Sequence, residues 1–323
     1  MKIVRSLAEA QFDRNSVATV GTFDGVHLAH REIIREAIQR ANVREGRSVV
    51  ITFDPHPKEV VGGRGETVRM LTTVEEKVDH LRSLGVDLLL LISFTYDFSR
   101  LTARDFYQRF VVEGIGVSEV IVGFDHMFGR DRAGGIEQLV RMGREFDFSV
   151  FAVHPVTVAG EVVSSSLVRK TLLNGEVERA RQFLGYAYSL TGMVVKGDGR
   201  GRSLGYPTAN IEPLSAKKVI PRSGVYLVTL RVGTEDHYGM MNIGVRPTLT
   251  DGIRETIEVH VIDYEGDLYG REVEATFLSR IRDERKFASR EELIAQLHED
   301  LKISMQYIDA ITNNSKQNTE QDI

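Results

Sequence analysis

The stretch Gly21-Thr22-Phe23-Asp24-Gly25-Val26-His27-Leu28-Ala29-His30 sets two imidazoles three residues apart beside two glycines. On an opening helical turn, side chains at that spacing point the same way. The unpaired N–H groups of a helix start, and the positive end of its dipole, favour an anion such as phosphate. Imidazoles there can donate hydrogen bonds to phosphate oxygens and, when protonated, add charge. Glycines let a ligand approach the backbone, so Gly21, Phe23, Asp24 and Gly25 join His27 and His30 as candidates for a nucleotide site. Two histidines near a helix start are often mere surface residues; the flanking glycines favour a function.

Ser164-Ser165-Ser166-Leu167-Val168-Arg169 resembles a second phosphate-type helix start, with Ser164 and Ser165 at the cap and Arg169 about a turn in. Standing alone it is equally a plain N-cap. Farther along, the run Gly197 to Gly205 is rich in glycine and arginine. Its Gly199, Gly201 and Arg202 could bring N–H groups and a guanidinium fork to a polyphosphate. It matches neither a Walker loop nor a dinucleotide fingerprint, and a solvated hairpin loop explains it as well. Thr208 and Asn210 lie two apart and share a side of an extended chain. Their oxygens are hard ligands suited to Mg²⁺. In Glu255 to Val261, alternation puts Ile257, Val259 and Val261 on one face and Glu258 and His260 on the other. A carboxylate beside a Mg²⁺-nucleotide can act as general base for an alcohol; a lone strand glutamate is more commonly just solvated.

These groups need elements to hold them. Val17–Val20 reads as a short buried strand, and Ile33, Ile34, Ala37, Ile38 and Ala41 mark a helix after the histidines. Val49–Phe53, Leu88–Ile92, Val120–Val122 and Ser149–Val153 are further strands. Helices open after Thr73 and at Thr102, the latter with Phe106 and Phe110 inward, and another contains Ile136, Leu139 and Val140. Alternation of this kind predicts a parallel sheet covered by helices, with ligands beyond the C-terminal strand ends. From Tyr188 onward the pattern changes to short β runs over 190–195, 224–232, 238–243, 255–262 and 273–278. These predict a small antiparallel barrel. A helix from about Ser289 carries Ile294, Leu297, Leu301 and Ile308 on one stripe, and the polar residues 312–323 read as a disordered tail. The domain boundary falls at residues 185/186.

Composition narrows the class. The 323 residues suit about two domains. The net charge of -5 argues against bulk nucleic-acid or anionic-membrane binding. Without cysteine, disulfides, thiolate metal sites and cysteine nucleophiles are excluded. No signal-type or membrane-spanning run occurs, which predicts a soluble, cytoplasmic protein. The oligomeric state is left open.

Taken together, the motifs resemble the bacterial bifunctional riboflavin kinase/FAD synthetase family, from about Val17 to Asp300. Gly21 through His30 is similar to its nucleotidyltransferase signature. Thr52-Phe53-Asp54-Pro55-His56-Pro57, Val122-Gly123-Phe124-Asp125 and Ser164 to Arg169 resemble its next blocks. Gly205 to Asn210 is similar to the flavokinase Pro-Thr-Ala-Asn motif, and Asn242 to Thr248, Glu258 to His260, Leu268 to Gly270 and Ile281 to Phe287 follow in order. Departures are Ala29 for Gly, Ser166 for Thr, Tyr206 for Phe, and His126-Met127 for Phe-Arg.

The resemblance implies an α/β nucleotidyltransferase (Rossmann-like) domain over residues 1–185 and a flavokinase β-barrel with a C-terminal helix over 186–311. It implies phosphorylation of riboflavin by ATP to FMN, then adenylylation of FMN by a second ATP to FAD and pyrophosphate. Glu258 would be the kinase base, Thr208 and Asn210 would hold Mg²⁺, and His27 and His30 would serve adenylylation. Asp125 would orient ATP or its metal, and Asp54, Pro55, His56 and Arg282 would meet flavin. No nucleic-acid or membrane partner is expected. Two rivals are a kinase whose adenylylation the Ala29 and His126 departures have silenced, and a flavin sensor without turnover.

Overall fold

The computed structural model describes residues 1–62, 68–124, 135–197, 201, 204–247 and 253–321. They divide into two compact units: Met1–Val168 with Phe183–Gly185, and Arg169–Gln182 with Tyr186–Ile323.

In the first unit, strands β1 (Lys2–Val4), β2 (Ser16–Val20), β3 (Ser48–Asp54), β4 (Leu88–Ser93), β5 (Val117–Gly123) and β6 (Ser149–Val153) form a sheet in the order β1-β4-β3-β2-β5-β6. Every neighbouring pair is parallel. Both faces are buried, as the unbroken apolar run of β4 requires. Ala18, Val49, Ile51, Leu88 and Leu90 point into one core cluster. The alternate residues Val50 and Leu89 pack with Ile34 and Leu81 on the other face, where Val17 and Ile121 meet Ala37 and Ala41. The first helices are α1 (Leu7–Ala10), α2 (Leu28–Val43), α3 (Pro57–Val61), α4 (Val74–Ser83), α5 (Tyr96–Ser99), α6 (Ala103–Phe106) and α7 (Ile136–Phe146). Chain order reverses between β2 and β5, so the crevice beyond their C-terminal ends is the topological switch point, the usual ligand position in such sheets.

Two differences from the sequence reading matter. β1 and α1 precede the first expected strand; three residues paired only to β4 carry too little alternation to be noticed. Phe106 and Phe110 pack against the core as expected, but they are only partly buried. A π-helical segment, Tyr107–Ile115, follows α6 and turns Tyr107, Val111 and Ile115 inward. Phe106 and Phe110 also stack on each other at the edge of that core, with centroids 5.5 Å apart.

After the hairpin β7 (Thr157–Val158) and β8 (Glu161–Val162) come α8 (Ser165–Leu173) and α9 (Val177–Leu184), each crossing a boundary between the units. The second unit is a closed antiparallel barrel in the order β10-β13-β12-β11-β14-β9. Its strands are β9 (Ser189–Val195), β10 (Ala209–Pro213), β11 (Gly224–Val232), β12 (Glu235–Pro247), β13 (Ile253–Val261) and β14 (Glu272–Arg282). Closure removes the exposed strand edges of an open sheet. Five of the six were expected; β10 was missed because it is short and ends in proline. Helix α10 (Arg290–Gln321) starts at Ser289, whose Oγ accepts from Glu292 N at 3.1 Å. It continues to Gln321 where a disordered tail was expected from 312. No glycine or proline interrupts that stretch, so nothing breaks the helix. Among the described residues no helix is long and apolar enough to cross a membrane.

Candidate active sites

The first site is built on the turn from β2 into α2. The buried Asp24 carboxylate accepts from Leu71 N at 2.9 Å and Thr72 N at 3.1 Å, while Thr72 Oγ1 accepts from Gly25 N at 3.0 Å. Gly25 has φ +84°, and a Cβ there would lie 2.7 Å from Leu71 Cδ1. Phe23 and Val26 also sit at positive φ, 48° and 33°. For a β-branched residue this is strain, tolerated where burial dictates the path, and both side chains are in the core. The buried Phe23 ring meets His30 edge-on at 5.2 Å.

His27 is the N-cap of α2, and its Nδ1 accepts from His30 N at 3.4 Å. An accepting Nδ1 puts the proton of the neutral ring on Nε2, which makes Nε2–H the donor. The rings of His27 and His30 stack 3.6 Å apart at 17°. Part of His30 reaches the surface, but its Nδ1 is sealed and has no hydrogen-bond partner. Burial holds its pKa well below the ordinary 6.5, and His27 and Lys77 push the same way. Burial therefore favours the neutral ring of His30.

Ser164 Oγ accepts from Leu167 N at 3.2 Å as a cap, and Ser165 Oγ donates to Asp24 O at 2.9 Å. That second bond ties the start of α8 to the histidine turn. Arg169 belongs to the second unit. Asp54 ends β3, followed by a cis bond to Pro55. His56 caps α3, its Nδ1 accepting from Lys58 N at 3.1 Å and its N donating to Glu59 Oε1 at 3.2 Å. Beside this corner, Phe53, Phe94 and Phe98 form a half-buried aromatic group with centroids 5.4–6.0 Å apart. Sequence reasoning did not single out this group, nor Thr72 or Lys77. Lys77 shares the apolar stripe of α4 with Val74 and Leu81, which was the available signal. Asp125, His126 and Met127 lie outside the described residues.

The second site lies within the barrel unit. Asn210 on β10 pairs with Glu258 on β13, and Thr208 Oγ1 donates to Glu258 Oε2 at 3.3 Å. The three residues expected to share one chemistry therefore meet. Two glycines lie close beside them, and backbone crowds the second. A Cβ on Gly197 would fall 2.0 Å from Asn210 Nδ2, and one on Gly201 would fall 2.2 Å from Tyr206 O and 3.1 Å from Thr208 Oγ1. Gly199 and Arg202 lie outside the described residues. As expected, Ile257, Val259 and Val261 are buried on β13. His260 Nδ1 lies 2.9 Å from Pro207 O; a carbonyl only accepts, so Nδ1 carries the proton. The Tyr206 ring meets His260 at 5.0 Å and His298 at 5.8 Å. Arg282 is committed to Asp300: its Nε lies 2.8 and 3.0 Å from the two carboxylate oxygens, and Nη2 lies 2.8 Å from Oδ2. It anchors α10 to β14. Clusters of three or more His, Cys, Asp or Glu side chains fit to hold a metal are absent among the described residues. Oxygen donors of threonine and asparagine, however, suit a hard cation that keeps much of its water.

Family models match both halves: FAD synthetase over residues 9–167 and riboflavin kinase over residues 184–308. The bifunctional riboflavin kinase/FMN adenylyltransferase of Listeria monocytogenes is 39% identical over 288 residues, covering 89% of this chain and 91% of its own. The enzyme of that name from Escherichia coli K12 is 36% identical, covering 93% and 96%. The Bacillus subtilis one is 34% identical, covering 90% and 92%. A solved structure from Streptococcus pneumoniae, described as a macrolide-efflux protein, superposes with a TM-score of 0.86 at 32% identity, covering 94% of this chain and 98% of its own.

Proposed function

The chain belongs to the bifunctional riboflavin kinase/FMN adenylyltransferase family, and from that premise we propose how its residues divide the work. The enzyme phosphorylates riboflavin with ATP to FMN, then joins FMN to the adenylyl group of a second ATP, giving FAD and pyrophosphate.

Residues 1–185 carry adenylylation. The FMN phosphate attacks the α-phosphorus, forming a new P–O bond as the bond to pyrophosphate breaks. The nucleophile is already anionic, so no general base is needed. The site must stabilise charge on the α-phosphate and the leaving pyrophosphate. His27 donates through Nε2–H, His30 is a second neutral polar group, and the N–H groups opening α2 supply positive field. The single observation behind this reading is the stacked His27–His30 pair at the switch point of the sheet. Gly21, Gly25 and Ser164 shape the ATP side, with Asp24 and Ser165 holding the turn; Asp125 and Arg169 join them by family resemblance. Flavin lies near Asp54, Pro55 and His56.

Residues 186–311 carry the kinase reaction. Glu258 accepts the proton of the riboflavin 5′-hydroxyl as its oxygen attacks the γ-phosphorus of ATP. Thr208 and Asn210 would hold Mg²⁺, which neutralises charge on the transferring phosphates. Gly201, with Gly199 and Arg202, lies along the nucleotide. The contact of Thr208 with Glu258, and the pairing of Asn210 with it, support this arrangement. Arg282 serves the flavin side through its hold on α10. The location is the cytoplasm, where ATP and riboflavin meet.

The protein incubated with riboflavin, ATP and Mg²⁺, with flavins resolved over time, is expected to give FMN first and FAD after it. FMN that accumulates without FAD would contradict the assignment to residues 1–185.

A further inference from the structure

Lys77 is 6% exposed, in the first turn of α4. Among the described residues its ammonium has neither a hydrogen-bond acceptor nor an ion-pair partner. The long apolar stem is buried, so the ammonium it carries is held to one side of α4 and is available to an anion there. The ammonium lies in the electrostatic neighbourhood of the first site, feeling Asp24 and Asp54 and in turn opposing a proton on His30. The start of α4 is fixed there as well. Leu71 and Thr72, just before it, bind the Asp24 carboxylate, and Thr72 takes the Gly25 N–H. Thr73 and Glu76 close a capping box around the first turn. The two backbone N–H groups both bind Asp24 Oδ1, which fixes that carboxylate against the start of α4.

We propose that Lys77 is a phosphate-contacting residue of the adenylyl-transfer site, its ammonium taking an oxygen of the departing pyrophosphate. The inference rests on the assignment of His27 and His30 to adenylylation. In the step, an FMN phosphate oxygen forms a bond to the α-phosphorus of ATP. The bond from that phosphorus to the bridging oxygen breaks, and pyrophosphate leaves with the electron pair. Lys77 meets that charge as it develops and transfers no proton.

The test is Lys77→Met, which keeps length and removes charge, assayed in the full chain. FAD formation from FMN and ATP should fall by about 10²–10³-fold, as for loss of one preorganised donor. Inorganic pyrophosphate, titrated by calorimetry, should bind about 10–100-fold more weakly, the loss of one charge-assisted hydrogen bond. Riboflavin kinase activity should be unchanged, and the thermal midpoint should hold or rise, because an apolar side chain replaces a buried charge. Unaltered pyrophosphate affinity overturns the proposal, whatever the rate does. So does a destabilised or unfolded variant, which would make Lys77 a counter-charge for Asp24 and Asp54. If the unmutated protein makes no FAD from FMN, the assignment beneath the proposal fails instead.

Discussion

His30 stays unprotonated where a free imidazole would be half charged, because burial, His27 and Lys77 all oppose the cation. Between its depressed folded value and 6.5, the unfolded chain holds the extra proton. The stability this contributes is complete above 6.5 and is lost as pH falls below it. Thermal midpoints should therefore drop on acidification below 6.5, and less steeply in His30→Asn; equal slopes would contradict the burial argument. For Glu258, replacement by Gln should lower kinase turnover by about 10²–10⁴-fold, the usual worth of a general base. A riboflavin-dependent ADP-release assay checks it. At this scale His27, Thr208, Asn210 and Glu258 were legible because residue type and spacing carry the chemistry. Lys77 was not: one lysine on an apolar stripe looks like a snorkelling surface residue until the fold buries it. The protonation state of His30 was illegible for the same reason, since it depends on neighbours brought from other elements.

Elements were legible where periodicity is long. The apolar run of β4, the amphipathic α2 and the alternation of β13 all announce their state. The π-helical segment Tyr107–Ile115 was not, because inward residues spaced by four, Tyr107, Val111 and Ile115, read equally well as an α-helix. Helix α10 is anchored at one end by a buried carboxylate. Asp300 is 1% exposed in its side chain and grips Arg282, which is 19% exposed; Gln296 Nε2 also donates to it at 2.8 Å. Asp300→Ala should cost about 3 kcal/mol, at the low end for breaking a buried pair because Arg282 keeps some access to water. Urea unfolding of the full chain measures this, and a loss under about 0.5 kcal/mol, the size of a plain surface change, would contradict the anchoring role.

For the molecule as a whole, the change from alternating α/β to successive β runs was visible near Gly185, and both kinds of sheet are present. The division into compact units was less visible, because α8 and α9 are ordinary amphipathic helices whose sequences do not tell which unit they join. Each chemical constellation gathers within one unit: the histidine pair in the first, the Thr208–Asn210–Glu258 group in the second. The two activities should then be lost separately. The most direct measurement follows riboflavin, FMN and FAD over time in two single variants, each given ATP and Mg²⁺. His27→Ala should turn riboflavin into FMN at the normal rate and make FAD about 10²–10³-fold more slowly. Glu258→Gln should turn riboflavin into FMN about 10²–10⁴-fold more slowly yet convert supplied FMN to FAD normally. A folded variant in which either single change stops both conversions would contradict the account of two independent ATP sites.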